Sequence, residues 1–290
     1  MGNGIKKSPL IPRWLRYVMG SGAAIVLLWL AFRGIDWPEL RAALGRLNWS
    51  YVAAAVALMF LSALLRAWRW KQLFVGETPA FATLVEGILI GQTLNFTLPF
   101  RSGDVARAVL IKDRKLHAAG TVGVEKLLDM VFFALLCATI PVFWAIPEWL
   151  EKPRVSVIVM GAGVVLMALV LVIPRRTREY MRAKKGAIPA LITGTLVIWT
   201  CGIVLNWLIF RSLELQVPWL ASVVLLVILQ AGVSVPSTPG KIGVLQYLAV
   251  LGLGLFGVPK PDALAAGLVL HAVVFVPIAL ASAVIWLSRD

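Results

Sequence analysis

The stretch FATLVEGILIGQTLNFTLPFRSGDVARAVLI, residues 81–111, decides how this chain folds. Window 81–98 is apolar enough to enter a bilayer. Directly after it, Leu98-Pro99-Phe100-Arg101-Ser102-Gly103 brings a proline and a glycine, which end a helix, together with an arginine. The flank before the window is basic through Arg66, Arg69 and Lys71, and the stretch 101–126 after it is basic as well. Basic loops stay on the cytoplasmic side. One crossing cannot leave both flanks on the same side. The segment therefore reads as a re-entrant hairpin that descends through 81–98, turns at Pro99 and Gly103, and returns through Asp104–Ile111.

Working outward, the same logic repeats in the second half. Apolar windows fall at about 17–32, 51–65, 81–98, 127–146, 155–173, 188–210, 219–235, 242–257 and 263–287. Loops 211–218 and 258–262 are charge-balanced and suit the outside. The segment between them is broken by Pro236-Ser237-Thr238-Pro239-Gly240. At about 1.5 Å per residue its two short arms fall below a hydrocarbon core of about 30 Å, so a second hairpin is expected from the opposite face. The basic N-terminus and the basic loop 174–186 are placed inside, and the balanced loop 147–154 outside. The expectation is an all-α polytopic membrane protein of six spanning helices and two opposed re-entrant hairpins, with both termini in the cytoplasm. One broken segment per half, reached from opposite faces, is an inverted-repeat pattern. The chain then forms one integral membrane domain, 1–290, with half-repeats at about 17–146 and 155–287.

Composition agrees. Of 290 residues 60% are apolar and only 14% are charged, where a soluble domain is about a quarter charged. The net charge of +14 is what cytoplasmic loops obeying the positive-inside bias produce. With no basic soluble domain or arm, nucleic acid is not an expected partner. Cys137 and Cys201 both lie in apolar runs, so neither a disulfide framework nor a metal cluster is indicated. The apolar run after the basic N-terminus reads as a retained first anchor. HExxH, GxSxG, a P-loop and an Asp-rich diphosphate motif are all missing, and two histidines leave little for acid–base work. An enzyme is not expected, nor is a cofactor or metal.

The candidate site residues cluster at the two turns. Around the first, Asn95, Arg101, Asp104 and Arg107 surround Pro99 and Gly103; Arg101, Asp104 and Arg107 share one face of a helix that Ser102 would cap. A helix N-terminus beside guanidinium groups suits a phosphate. Around the second, Ser237, Thr238 and Lys241 accompany the turn formers Pro236, Pro239, Gly240 and Gly243. Arg66 closes the second window one turn inside Trp68, Arg69, Trp70 and Lys71, which read as interfacial anchors. Glu125 and Asp129, at the start of the 127–146 helix, and Glu86 are candidates for counter-charge or proton coupling. Gln246 and His271 read as partners in core hydrogen bonds, and Gly87 with Gly91 as a GxxxG packing motif.

The segments Leu98–Arg107 and Pro236–Gly243, supported by Leu65–Trp70 and Glu125–Asp129, resemble the lysylphosphatidylglycerol synthase transmembrane family, also called flippase-like. The resemblance spans nearly the whole chain. It implies an integral membrane domain that moves lipids between leaflets, fused in some members to a cytosolic aminoacyl transferase. No synthase domain is seen here, so aminoacyl-lipid synthesis is not expected. Lys241 stands where the family pattern has a second glycine, and Gln246 where it has a glutamate. Both changes favour an anionic lipid.

The function expected is translocation of an anionic phospholipid or a polyprenyl-phosphate-type lipid across the bacterial or archaeal cytoplasmic (inner) membrane. Membrane lipids are the expected partners, and a separate lipid-modifying enzyme or self-association is compatible. The alternative is a membrane enzyme or accessory subunit acting on lipid-linked substrates.

Overall fold

The computed structural model describes residues 26–98, 102–111, 115–143, 185–233 and 239–288. Window 155–173 and positions Pro99, Arg101, Pro236, Ser237 and Thr238 lie outside the described residues. Every regular element described is helical. After a helical stretch at 26–32 come α1 (Trp37–Gly45), α2 (Trp49–Gln72), α3 (Phe81–Thr97), α4 (Ser102–Leu110) and α5 (Lys115–Phe143). Then follow α6 (Ile188–Ser212), α7 (Trp219–Val233), α8 (Val244–Gly254) and α9 (Lys260–Leu287). Of the described helices, three are long and apolar enough to cross a bilayer: α2, α6 with the 3-10 turn before it, and α9.

Local chemistry sets several boundaries. The Asn48 side chain accepts from the Ser50 N–H and starts α2, while Asp36 does the same for α1 ahead of Pro38. The nine-residue α1 is absent from the apolar windows. It buries Leu40 and Ala43 and packs against α9 with its other face exposed, a pattern too short and polar to register as a span. A second difference concerns α5. It begins at Lys115, so Glu125 and Asp129 sit well inside it rather than in its first turn. An apolar window cannot find a start whose first turns carry Lys115, His117, Glu125 and Lys126.

The long helices α2 and α6 run antiparallel. Asn48 N–H donates to the Ser212 carbonyl at one end, and Arg69 bonds Thr195 toward the other. These contacts define two ends of the bundle, named here for Trp49 and Gln72. At the Gln72 end, Trp70 Nε1 donates to Thr121 and Phe74 meets the His117 ring, which brings α5 alongside. At the Trp49 end Arg46 pairs with Asp262 at 2.9 Å, and Lys260 donates to the carbonyls of Leu30 and Arg33. The starts of α2 and α9 therefore share that end with the end of α6.

Between these helices lie two helical hairpins. Gly87 and Gly91 of α3 pack against Arg107, and Gly91 faces Gly103, so α4 returns antiparallel along α3. A Cβ on Gly103 would run into the Gly91 carbonyl, which is why the close approach needs both glycines. In the other hairpin Gly232 faces Leu248 while Gly252 faces Leu225 and Ile228, so α8 returns along α7. At 1.5 Å per residue the four arms measure about 25, 13, 22 and 16 Å, all short of a hydrocarbon core of about 30 Å. The first hairpin starts from the Gln72 end of the bundle and the second from the Trp49 end. Their turns touch where the Lys241 ammonium lies 5.0 Å from the Phe96 ring centroid.

Candidate functional site

A cavity of about 400 Å³ occupies the middle of the bundle, walled by α2 through α9. Among the expected site residues it collects Arg66, Asn95, Asp104, Arg107, Lys241, Glu125 and Asp129 on one lining. Glu86 is not part of that lining. Gly103 holds α4 against α3 behind it, and Pro239, Gly240 and Gly243 shape the second turn.

The charged wall is organised by a carboxylate on α5. Glu125 Oε1 accepts from Arg69 Nη2 at 2.9 Å and Glu125 Oε2 from Arg107 Nη1 at 3.0 Å. One side chain thus joins α2 to α4. Arg69 also donates to both oxygens of Asp129, at 2.7 and 3.2 Å, and to Thr195 Oγ1 at 2.9 Å. Asp104 lies 3.5 Å from Arg107 and 3.3 Å from Lys126. The Arg107 guanidinium also stacks 5.0 Å from the Trp70 ring. Buried charges survive only when paired in this way.

This arrangement corrects three expectations. Arg69 and Trp70 are fully buried rather than anchored at the interface. Their alternation with Lys71 at a helix end imitates an aromatic belt, but α5 and α6 cover that end and supply the counter-charges. Glu125 and Asp129 serve as those counter-charges from inside α5 rather than as acids at a helix start. The Ser102 hydroxyl caps nothing: its Oγ is buried without a hydrogen-bond partner among the described residues. The arginine pair was nonetheless recoverable, because Arg66 and Arg69 are three apart on α2 while Glu125 and Asp129 are four apart on α5.

Not every cation is neutralised. Arg66 is half-buried on the cavity wall and makes no hydrogen bond or ion pair to another described residue. Counting Arg69 behind the wall, five cations (Arg66, Arg69, Arg107, Lys126 and Lys241) face three acids (Asp104, Glu125 and Asp129). The described wall is therefore net positive. Asn95 Oδ1 and Arg107 Nε are buried there without hydrogen-bond partners among the described residues. The unanswered Arg107 Nε–H, beside an Arg66 guanidinium with no hydrogen-bond or ion-pair partner among the described residues, suits an anion carrying several acceptor oxygens.

At the second turn Gly240 and Gly243 take φ values of 75° and 87°, and Lys241 takes 52°. The Gly243 N–H donates to Gln246 Oε1 at 2.8 Å. That fixes the amide, so Gln246 Nε2 donates to His271 Nδ1 at 2.9 Å. Both polar side chains are thus satisfied in the core, as the sequence suggested. Among the described residues, no group of three or more His, Cys, Asp or Glu could hold a metal ion.

The family model described as Lysylphosphatidylglycerol synthase TM region matches residues 17–282. Over 138 residues the chain is 30% identical to a protein named Glycosyltransferase AglD from Haloferax volcanii. That match covers 46% of this chain and 22% of the relative, so the chain spans less than a quarter of that protein's length.

Proposed function

Because this chain belongs to the lysylphosphatidylglycerol synthase transmembrane family, we propose that its central cavity carries the phosphate-bearing head group of an anionic lipid between leaflets. The protein is an integral membrane protein with a membrane-lipid function. The finer reading is a translocase for an anionic phospholipid or a polyprenyl phosphate in the cytoplasmic membrane. One observation carries it: the cavity wall holds more cations than acids, and Arg66 on that wall has no partner among the described residues. A charge inside a bilayer is costly and is kept for a purpose. A lipid phosphate, with its tails left in the membrane, supplies the missing counter-charge.

The two hairpins fit this reading. Arms shorter than the bilayer, started from opposite ends and touching at Phe96 and Lys241, act as re-entrant segments between six full crossings. Irregular backbone at such turns is tolerated because it lines a wet cavity. Glu125 holds Arg69 and Arg107 in place, and Asp104 orients Arg107, while Arg66 is left to meet the phosphate. Transport is then passive or ion-coupled.

The test is Arg66→Ala in vesicles of phosphatidylglycerol containing a fluorescent phosphatidylglycerol. Inversion should fall at least about tenfold, a loss of about 1.4 kcal/mol of head-group interaction. Thermal stability should change little, since Arg66 makes no hydrogen bond or ion pair to another described residue. Inversion at the wild-type rate sinks the reading. A second reading has one observation behind it, the partial likeness to a protein named a glycosyltransferase. In it the chain is the membrane partner of a separate lipid-modifying enzyme. Co-purification with such an enzyme, with no inversion by the isolated chain, selects it.

A further inference from the structure

The charges of the cavity are unevenly distributed along its length. Arg66 stands about 25 Å along α2 from Trp49, and Trp70 about 31 Å. Gly87 packs on the Trp70 ring, and Phe96 lies about 13 Å further along α3, back toward the middle of the bundle. Lys241 rests on Phe96. The ion pairs of Arg69 and Arg107 thus occupy the Gln72 end, Arg66 lies somewhat inside them, and Lys241 is the innermost of the described cations on this wall. Beyond it toward the Trp49 end, the described wall offers only neutral polar groups, Asn206 and Gln230, among apolar side chains.

The position of Lys241 is also built. A lysine at φ 52° occupies the left-handed region that side chains bearing a Cβ avoid, and such outliers persist where the surroundings enforce them. Here Phe96 forms the shelf below the ammonium, stacked against His271 at 6.4 Å and tilted against Phe275 at 5.6 Å. The turn itself is tied by the bonds from Gly243 to Gln246 and from Gln246 to His271.

We infer that Lys241 is the head-group selector: the last of the described wall cations that a lipid phosphate meets on its way from the Gln72 end, and the residue that admits a net-anionic head group while turning back a zwitterionic one. This rests on the translocase reading and adds to it the order of contacts, Arg66 first and Lys241 second. A lysine suits the task because its ammonium is a point charge on a flexible stem, able to follow a moving phosphate. A zwitterion would bring its own cation against the ammonium, at the depth where like charges are least screened.

The test uses the purified full chain with equal amounts of phosphatidylglycerol and phosphatidylcholine, reading bound lipid by native mass spectrometry. Wild type should favour phosphatidylglycerol by about tenfold or more. Lys241→Gly fits the left-handed backbone without strain, so it folds, and its preference should fall to about twofold or less. Lys241→Arg should retain the preference. A Lys241→Gly protein with the wild-type preference overturns the assignment. Excess inorganic phosphate should leave the bound phosphatidylglycerol in place; displacement of the lipid would make the ligand a soluble anion and overturn the assignment too. Inversion of labelled phosphatidylglycerol is followed in parallel. A wild type that prefers this lipid without moving it sinks the translocase reading and leaves the selector standing. Transport with an unchanged preference in Lys241→Gly sinks the selector alone.

Discussion

The two hairpins are alike in outline and opposite in what holds them. The α3–α4 hairpin is fixed by charge: Arg107 is clamped by Glu125 and Asp104, and Glu125 is clamped in turn by Arg69 of α2. The described ties within the α7–α8 hairpin are neutral: two glycines with positive φ, the Gln246–His271 bond and leucine packing, with the Lys241 ammonium resting on Phe96 of the other hairpin. Buried ion pairs resist partial opening, since separating them leaves a charge without water or partner. A neutral hydrogen bond is easier to exchange. The first hairpin is therefore expected to be the more rigid wall of the cavity, and the second the one displaced at lower cost.

The largest test of that difference is Glu125→Gln. It removes the negative charge shared by Arg69 and Arg107 and leaves one acceptor oxygen for the two guanidinium groups, and breaking a buried pair costs about 3–5 kcal/mol. Thermal unfolding in detergent should show a loss of this size, with α2 and α4 loosened together. A change below about 1 kcal/mol would mean that the clamp does not hold the wall. Next come the glycines, one from each hairpin. In Gly103→Ala the new methyl meets the Gly91 carbonyl, backbone that cannot yield, and overpacking of this kind costs about 1–3 kcal/mol. In Gly232→Ala the methyl meets only the end of the Leu248 side chain, which can turn aside. That variant should lose less than about 1 kcal/mol. Equal losses in the two melts would erase the distinction between a rigid and an adaptable hairpin.

That segments 81–111 and 219–257 each break into two short helices was legible in the sequence, because a proline- or glycine-broken apolar run is a one-dimensional signal. Leu98-Pro99 and Pro236–Gly240 interrupt apolar runs where loop charges already demand a turn. The partners of the charges were less legible. Arg69 has the sequence context of an interfacial residue, and only the antiparallel packing of α2 against α6, with α5 beside them, converts it into the centre of an ion cluster. Window-reading also misplaced Glu125, because hydropathy marks where a helix becomes apolar and not where it begins. The α1 helix escaped for a related reason: two buried residues on a nine-residue helix leave no apolar run.

A modest, local effect sharpens the comparison most. Gln246→Leu keeps the side-chain volume but leaves the Gly243 N–H and His271 Nδ1 without a partner. A buried group stripped of its hydrogen bond costs about 1–3 kcal/mol, and for a neutral amide at a turn the loss should sit at the lower end, about 1 kcal/mol. The melt will hardly move. Amide hydrogen exchange at 239–246 should nonetheless quicken by roughly fivefold, the factor that corresponds to about 1 kcal/mol of local opening. The amides of α3 and α4 should exchange as before, because no ion pair has been touched. If they quicken in step with the second turn, the contact between Phe96 and Lys241 transmits the opening. The two hairpins would then form one cooperative unit rather than a fixed wall and a moving one.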